Sequence, residues 1–256
     1  MKVSIITVVF NNRHTIRHAI QSVLGQDHPD LEYIIIDGGS TDGTLEIIKT
    51  YGSKIDTVVS EPDNGIYDAM NKGIARATGD IVGILNSDDI YQDRKVLSRV
   101  DRIFTNENPD SLYGDLVYVE PDDVDKVVRY WQAGKYYKGI FLHGWMPPHP
   151  TFFVKKEVYD RLGDFRDDMG LVADYEIMLR FLHRSGISTW YIPEILVRMR
   201  NGGTSNASIS NRIKVNLGNR KAWKSIGMRP NFYTLWMKPI RKIPQYLKRI
   251  ELEKYQ

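Results

Sequence analysis

An α/β fold with a mostly parallel central sheet and helices on both faces is what this 256-residue sequence predicts, and three observations predict it. Short apolar runs alternate with segments of helical period through the first hundred or so residues. Each run stops at a polar turn rich in Asn, Asp or Gly. One of them, Ile81-Val82-Gly83-Ile84-Leu85, stops at Asn86-Ser87-Asp88-Asp89, placing two adjacent carboxylates at the end of a buried strand. Like charges in a low-dielectric site repel unless a cation lies between them. Open α/β sheets bind ligands outside the carboxyl ends of their strands. The pair therefore suggests a divalent metal holding phosphate oxygens; the plain alternative is an Asp capping the next helix.

Taken in order, Val3–Val9 reads as a strand, and Ile16, Ala19, Ile20, Val23 and Leu24 follow at helical spacing. Tyr33–Ile36 is a buried strand ending at Asp37-Gly38-Gly39-Ser40, followed by a helix over Leu45–Tyr51 and a strand over Asp56–Ser60. Ile66, Ala69, Met70, Gly73, Ile74 and Ala77 mark a third helix, leading to the strand Ile81–Leu85. With right-handed crossovers, the turns at Asn11-Asn12, Asp37–Ser40, Glu61–Gly65 and Asn86–Asp89 share one rim. Beyond residue 110 the pattern changes. Leu112–Val119 and Val127–Trp131 are strand-like, and Gly144–Pro150 is a proline-rich ordered loop. Phe152–Val154 is a short strand, Lys156–Leu162 a short helix, Ala173–His183 a stronger helix, and Ser188–Val197 a final strand broken by Pro193.

Hydrophobic residues make up 42% of the chain, enough for a packed core, and cysteine is absent, which excludes disulfides and thiolate metal sites. The N-terminus enters a strand directly and no window approaches the roughly 20 apolar residues of a membrane span, so a soluble cytoplasmic protein is expected. The net charge of +3 hides an asymmetry. Residues 210–256 carry twelve Lys and Arg against Glu251 and Glu253, leaving 23 basic and 30 acidic residues in 1–209. Such segregation marks a tail that meets something anionic.

The motifs Ile5–Asn11, Ile36–Thr44, Leu85–Asp89 and Ala173–Glu176, in that order, resemble family 2 glycosyltransferases of the GT-A fold. Ser60–Gly73 is similar to a bacterial exopolysaccharide subgroup that includes the colanic acid transferases. The resemblance covers roughly residues 1–205. It implies a catalytic domain over 1–209, with a nucleotide-sugar half (1–110) and an acceptor half (111–209); the C-terminal helices carry no comparable signature, and the bases interleaved with aromatics over 210–256 read as a basic amphipathic helical tail.

The resemblance places Thr7, Val8, Phe10, Asn11, Asp37, Gly38, Gly39, Asp63, Lys72, Asn86, Ser87 and Asp88 on the nucleotide-sugar side. The glycines let backbone approach a nucleotide closely, although Gly38-Gly39-Ser40 is equally a good turn before a helix. The family usually has a second Asp at the place of Gly38, where uridine-specific members contact the base, so UDP- and GDP-sugars both remain open. Asn86 stands where the family's metal motif has its first acid. Asp88 is then the expected ligand for Mg²⁺ or Mn²⁺, with Asp89 beside it. Asp63 could read a base or ribose and Lys72 could approach phosphate; alternatively they form a turn and a solvated helix face.

Asp174 occupies the place of the family's catalytic base, although an acid at a helix N-terminus also has a structural rationale. Glu176 is its nearest understudy. His149 and Trp145 are acceptor-side candidates, the indole as a stacking surface for a sugar, with packing as the plain alternative. Arg198, Arg200 and the loop 201–205 could close over a diphosphate; the plain alternative is an ordinary mobile surface loop. The resemblance implies an inverting, metal-dependent transferase acting on a lipid-linked saccharide in surface polysaccharide biosynthesis. The rivals are a non-catalytic saccharide-binding or scaffold protein of the same fold and a sugar-1-phosphate nucleotidyltransferase. The second needs a Gly-rich loop after the first strand, and Val8–Asn12 holds no glycine. Lipid-linked acceptors favour the inner membrane face over nucleic acid as the tail's anionic partner, with docking on the catalytic domain or a homodimer contact as the alternatives.

Overall fold

The computed structural model describes residues 1–202, 209–247, 250 and 252. Strand β1 (Val3–Val9) runs through the middle of the sheet and is buried at every position, as a strand covered on both faces must be. Parallel neighbours flank it: β2 (Leu31–Asp37) on one side and β4 (Ile81–Ile84) on the other, with β3 (Thr57–Ser60) parallel to β2. The crossovers are helices α1 (Ile16–Leu24), α2 (Thr44–Lys49) and α3 (Ile66–Arg76). The helical periodicity is obeyed: α3 turns Ala69, Met70, Gly73 and Ile74 inward.

The parallel arrangement expected for the sheet holds over β1–β4; the rest is mixed. After β5 (Ile90–Tyr91) and α4 (Val96–Glu107) come β6 (Ser111–Val119), β7 (Val127–Trp131), β8 (Phe153–Lys155), α5 (Lys156–Leu162) and β9 (Thr189–Arg200). The sheet order is β3-β2-β1-β4-β8-β6-β9-β5, with β7 paired to β6. β8 is antiparallel to both β4 and β6 and joins the two halves into one sheet, while β6 and β9 are parallel. Pro193 does not end the last strand. Gly114 faces Ile192 and Asp115 faces Ile195, so the proline lies in a register irregularity where no ladder bond is asked of it.

Helix α6 (Ala173–Met178) continues as a π-helical turn over Leu179–Arg184. The segment expected as an appendage is partly a core element. Helix α7 (Ile209–Ser225) contributes Ala222 and Trp223, both fully buried, to the same hydrophobic cluster as Tyr175, Phe181 and Leu182. Beyond it, α8 (Thr234–Ile240) buries Thr234 and Leu235, and α9 (Pro244–Leu247) follows. No helix of the described residues is long and apolar enough to cross a membrane.

Candidate active site

The four turns predicted to share a rim do so, and hydrogen bonds lock them together. Asn11, with φ 48°, donates its backbone N–H to Ser40 Oγ (2.8 Å) and accepts from Thr41 N on Oδ1 (2.8 Å). Asn12 Nδ2 donates to Ser87 Oγ (2.9 Å), and Thr15 Oγ1 donates to the Ser87 carbonyl (2.8 Å). Asp37 is fully buried and its carboxylate accepts from Ser40 N and from the Ser40 and Ser60 hydroxyls. It organises the rim rather than projecting from it. Thr7 and Val8 are likewise buried in β1, Thr7 accepting from the Tyr33 hydroxyl (3.1 Å), so of the first motif only Phe10, 63% exposed, and Asn11 reach the surface.

Gly38 and Asp63 meet across this rim. A β-carbon on Gly38 would lie 2.5 Å from Asp63 Oδ2. The missing side chain leaves room for a carboxylate from the next loop, whose Oδ1 accepts from Gly65 N (2.9 Å). Lys72, expected at a phosphate, is instead held by acids: Glu61 at 3.0 Å and Asp68 at 3.5 Å, with the Pro62 carbonyl at 3.1 Å.

At the end of β4, Asp88 is half-buried and Asp89 fully buried. Asn86 Nδ2 donates to Asp89 Oδ2 (3.1 Å). Burial pushes both carboxyls upward, and Asp88's charge pushes Asp89 further, well above the carboxylate range; Arg200 opposes both shifts. Asn86 Oδ1 and Asp89 Oδ1 are buried without a hydrogen-bond partner among the described residues. Orphaned oxygens next to a half-open carboxylate are the donor set a hard divalent cation prefers. It is a thin set, because no group of three acidic, His or Cys side chains is arranged for a metal among the described residues.

Two further expectations need correcting here. Arg198 is 1% exposed and paired with Asp125 at 2.5 Å, and it cannot close over a ligand. Arg200 is also buried; it donates to the carbonyls of Asp88 (2.6 Å) and Pro121 (2.9 Å) and faces His18 Nδ1. It buttresses the acidic turn from behind. Of the loop that follows, residues 203–205 lie outside the described residues.

The N-terminus of α6 meets the start of α3, the helix that follows the turn Glu61–Gly65, through Asp174 and Tyr67. Asp174 is half-buried and accepts from Tyr175 N (2.7 Å). Its charge acts on three groups from elsewhere in the chain. Burial lowers His149, against which Asp174 pulls upward; burial and the Asp174 charge both raise the Tyr67 phenol; and Lys238 on α8 feels the carboxylate too. His149 packs edge-on to Phe165 (5.6 Å), and Tyr67 stacks on that ring (5.5 Å). Asn71 fixes Phe165 by a reciprocal pair of bonds, 2.8 and 2.9 Å.

The other acceptor-side candidates fall away. Trp145 is 4% exposed, inside a cluster with Tyr113, Tyr136 and Phe141, and donates to the Ala133 carbonyl (2.7 Å), so it has no open face for a sugar. Glu176 is fully buried and paired with Arg180 (3.0 Å), itself bonded to the carbonyls of Leu162, Gly163 and Asp164. It is a structural acid. Sequence reasoning missed Tyr67 as a neighbour of Asp174. Tyr67 lies on the predicted α3 one turn before Asn71, but nothing in the sequence pointed Lys238 at the Tyr175 ring, over which it lies at 3.4 Å.

The sequence profile described as glycosyl transferase family 2 matches residues 4–163. The chain belongs to that family. An uncharacterized glycosyltransferase of Mycobacterium tuberculosis is 30% identical over 186 residues, covering 70% of this chain and 68% of that protein. A PGL/p-HBAD biosynthesis glycosyltransferase of Mycobacterium bovis is 25% identical over 211 residues, 80% of each chain. Among solved structures, S. aureus TarS (residues 1–349) superposes with a TM-score of 0.68 at 16% identity, over 94% of this chain and 71% of that one. The mannosyltransferase PcManGT of Pyrobaculum calidifontis, in complex with GDP-Man and Mn²⁺, gives 0.65 at 19%, over 93% and 72%. The fold is therefore of the GT-A type, and this family 2 protein is a glycosyltransferase. Its Asp174 lies beyond the matched residues, and so do α7 and α8.

Proposed function

We propose that this glycosyltransferase moves a sugar from a nucleoside diphosphate onto a hydroxyl of a lipid-linked saccharide, with inversion, in the assembly of a surface polysaccharide. The observation that carries the reading is the rim itself, on which hydrogen bonds lock the turns at Asn11, Asp37 and Ser87 together at the strand ends, with the orphaned oxygens of Asn86 and Asp89 beside Asp88; Asp174, neighbour to Tyr67 and His149, is read as the second wall. The nucleotide lies along the rim, where Gly39 keeps the backbone bare and Asp63, in the space left by Gly38, accepts from base or ribose. Support comes from the PcManGT complex with GDP-Man and the TarS complex with UDP-GlcNAc, whose donors differ in base.

Asp174 takes the proton of the attacking hydroxyl, and attack from the face opposite the leaving diphosphate inverts the anomeric centre. Tyr67 and neutral His149 orient that hydroxyl. Asp88, helped by Asn86 and Asp89, would hold a Mg²⁺ or Mn²⁺ ion, which supplies charge stabilisation to the departing diphosphate. So thin a set of protein ligands favours a metal that arrives with its diphosphate. For the acceptor, support comes from α8 and α9. Together with the residues flanking them, they expose Phe232, Trp236, Ile240, Ile243 and Tyr246 beside Arg241 and Lys242, a mixture suited to an anionic bilayer.

The test is slow hydrolysis of a panel of nucleotide sugars with Mn²⁺, water serving as acceptor. One donor should be cleaved, with cleavage lost on exhaustive chelation and restored by Mn²⁺. Asp174→Asn should lower the rate by roughly 10²–10⁴-fold while leaving donor affinity unchanged. An active D174N variant refutes the base, and a rate indifferent to chelation refutes the metal.

A further inference from the structure

Asp174 stands on a first turn that has little to hold it from within. Helix α6 is six residues long before its π-helical continuation, and no side-chain hydrogen bond caps its start. The chain reaches it through a short turn over Asp167–Val172 that kinks at Gly170, with φ 53° and ψ −134°. Asp174 accepts from Tyr175 N (2.7 Å), so the place of its carboxylate follows the peptide that joins the two residues.

Helix α7 takes hold of this segment on both sides of Asp174. Before it, Lys221 pairs with Asp168 (2.9 Å), and Gly218 admits Val172: a β-carbon on the glycine would lie 2.7 Å from Val172 Cγ2. After it, the fully buried Trp223 donates its indole N–H to the hydroxyl of the buried Tyr175 (2.9 Å). Lys238 of α8 covers the same ring, its ammonium 3.4 Å from the centroid and bonded to Asn219 Oδ1 (3.0 Å). Ring and hydroxyl of Tyr175 are both claimed, which ties the chain beside Asp174 to the C-terminal helices.

We propose that Trp223 and Tyr175 are positioning residues of the transferase centre: their hydrogen bond fixes the first turn of α6 and, with it, the Asp174 carboxylate. The proposal rests on the reading of Asp174 as the base. It gives the C-terminal segment a part in the chemistry that is separate from any contact with a membrane. A base has to stand within hydrogen-bond reach of the hydroxyl it deprotonates, and a misplacement of about 1 Å can cost about 10²-fold in rate. Neither aromatic side chain touches the rim on which the donor is read to lie, so donor affinity does not depend on their bond.

Two variants break the bond from its two ends. Tyr175→Phe removes one oxygen and keeps the ring, and Trp223→Phe removes the donor. Both are assayed for donor hydrolysis, with water as acceptor, once circular dichroism has shown that they are folded. Each should lower kcat by roughly 10–10²-fold with KM for the donor unchanged. Because they break one and the same bond, the Y175F/W223F pair should be slower than the slower single variant by less than about twofold. The deciding arm is a D174N background, where no base is left to misplace, and Y175F should cost less than about twofold there. A residue that merely supports the fold lowers the rate by the same factor in both backgrounds. Wild-type kcat in Y175F, or an equal loss in D174N, overturns the proposal. If one of the two variants fails to fold, the other decides in its place. An active D174N sinks the base reading instead, whatever Tyr175 does.

Discussion

Glu32 shows how a single side chain can hold the start of the sheet together. Burial raises its carboxyl, but hydrogen bonds from Ser4, from the Thr78 hydroxyl and backbone N–H, and from Lys2 outweigh that and bring it from 4.5 to about 2. A carboxyl lowered on folding stabilises the native state above its unfolded value and loses that contribution as pH falls toward its folded one. The window is therefore acidic, from about pH 4.5 down to about 2. Glu32→Gln should cost roughly 2–3 kcal/mol near neutral pH. The gap from wild type, read from urea midpoints, should narrow to about half by pH 3. A gap that stays constant with pH would show that the bonds are worth no more to the carboxylate than to an amide. Asp37, equally buried and equally bonded, shows why charge alone misleads at this scale. The sequence presents it as a ligand contact, and three donors from its own loops claim it.

At the scale of elements, the docking of α8 on the loop 139–144 depends on one absent methyl group. Gly139 and Gly144 both have positive φ, 95° and 74°, so alanine strains either by about 1 kcal/mol. They differ in their surroundings: nothing lies within 4 Å of a β-carbon at Gly139, whereas at Gly144 it meets the backbone of α8. Gly144→Ala should therefore destabilise more than Gly139→Ala by roughly 1–3 kcal/mol, the cost of overpacking against rigid backbone. Thermal melts of the two variants check this, and equal shifts would mean that α8 is only loosely seated. This contact could not be read from sequence, because it joins residues far apart in the chain through shape alone. By contrast β1–β4 and α1–α3 were legible, since each apolar run and each helical stripe carries its own period. Trp145 and Glu176 were misread for a matching reason. Their types suit a sugar site, but burial and partners are properties of the packed chain.

On the scale of the whole molecule, the inner and outer sides of the C-terminal helices face different surroundings. Trp223 and Lys238 point at Tyr175, while Phe232 is 91% exposed, Trp236 72% and Ile243 58%. Removing residues 210–256 is therefore a poor test of membrane contact, because it strips Trp223 from the core at a cost of about 3–5 kcal/mol. Replacing Phe232, Trp236 and Ile243 by serine leaves the inner contacts in place. Co-sedimentation with anionic vesicles should weaken by at least about tenfold in this triple variant, with the melting temperature unchanged. Undiminished binding would move the lipid contact elsewhere on the molecule.

The space shared by Gly38 and Asp63 ties two positions of the sequence into one inheritance. A β-carbon at 38 would lie 2.5 Å from Asp63 Oδ2, so a carboxylate delivered from the end of β2 must displace the one delivered from the loop after β3. A lineage that moves the acid from one loop to the other passes through a variant with both groups in one volume, or with neither. Gly38→Asp alone should therefore behave as a defect that Asp63→Gly repairs, and across related sequences the two positions should change as a pair.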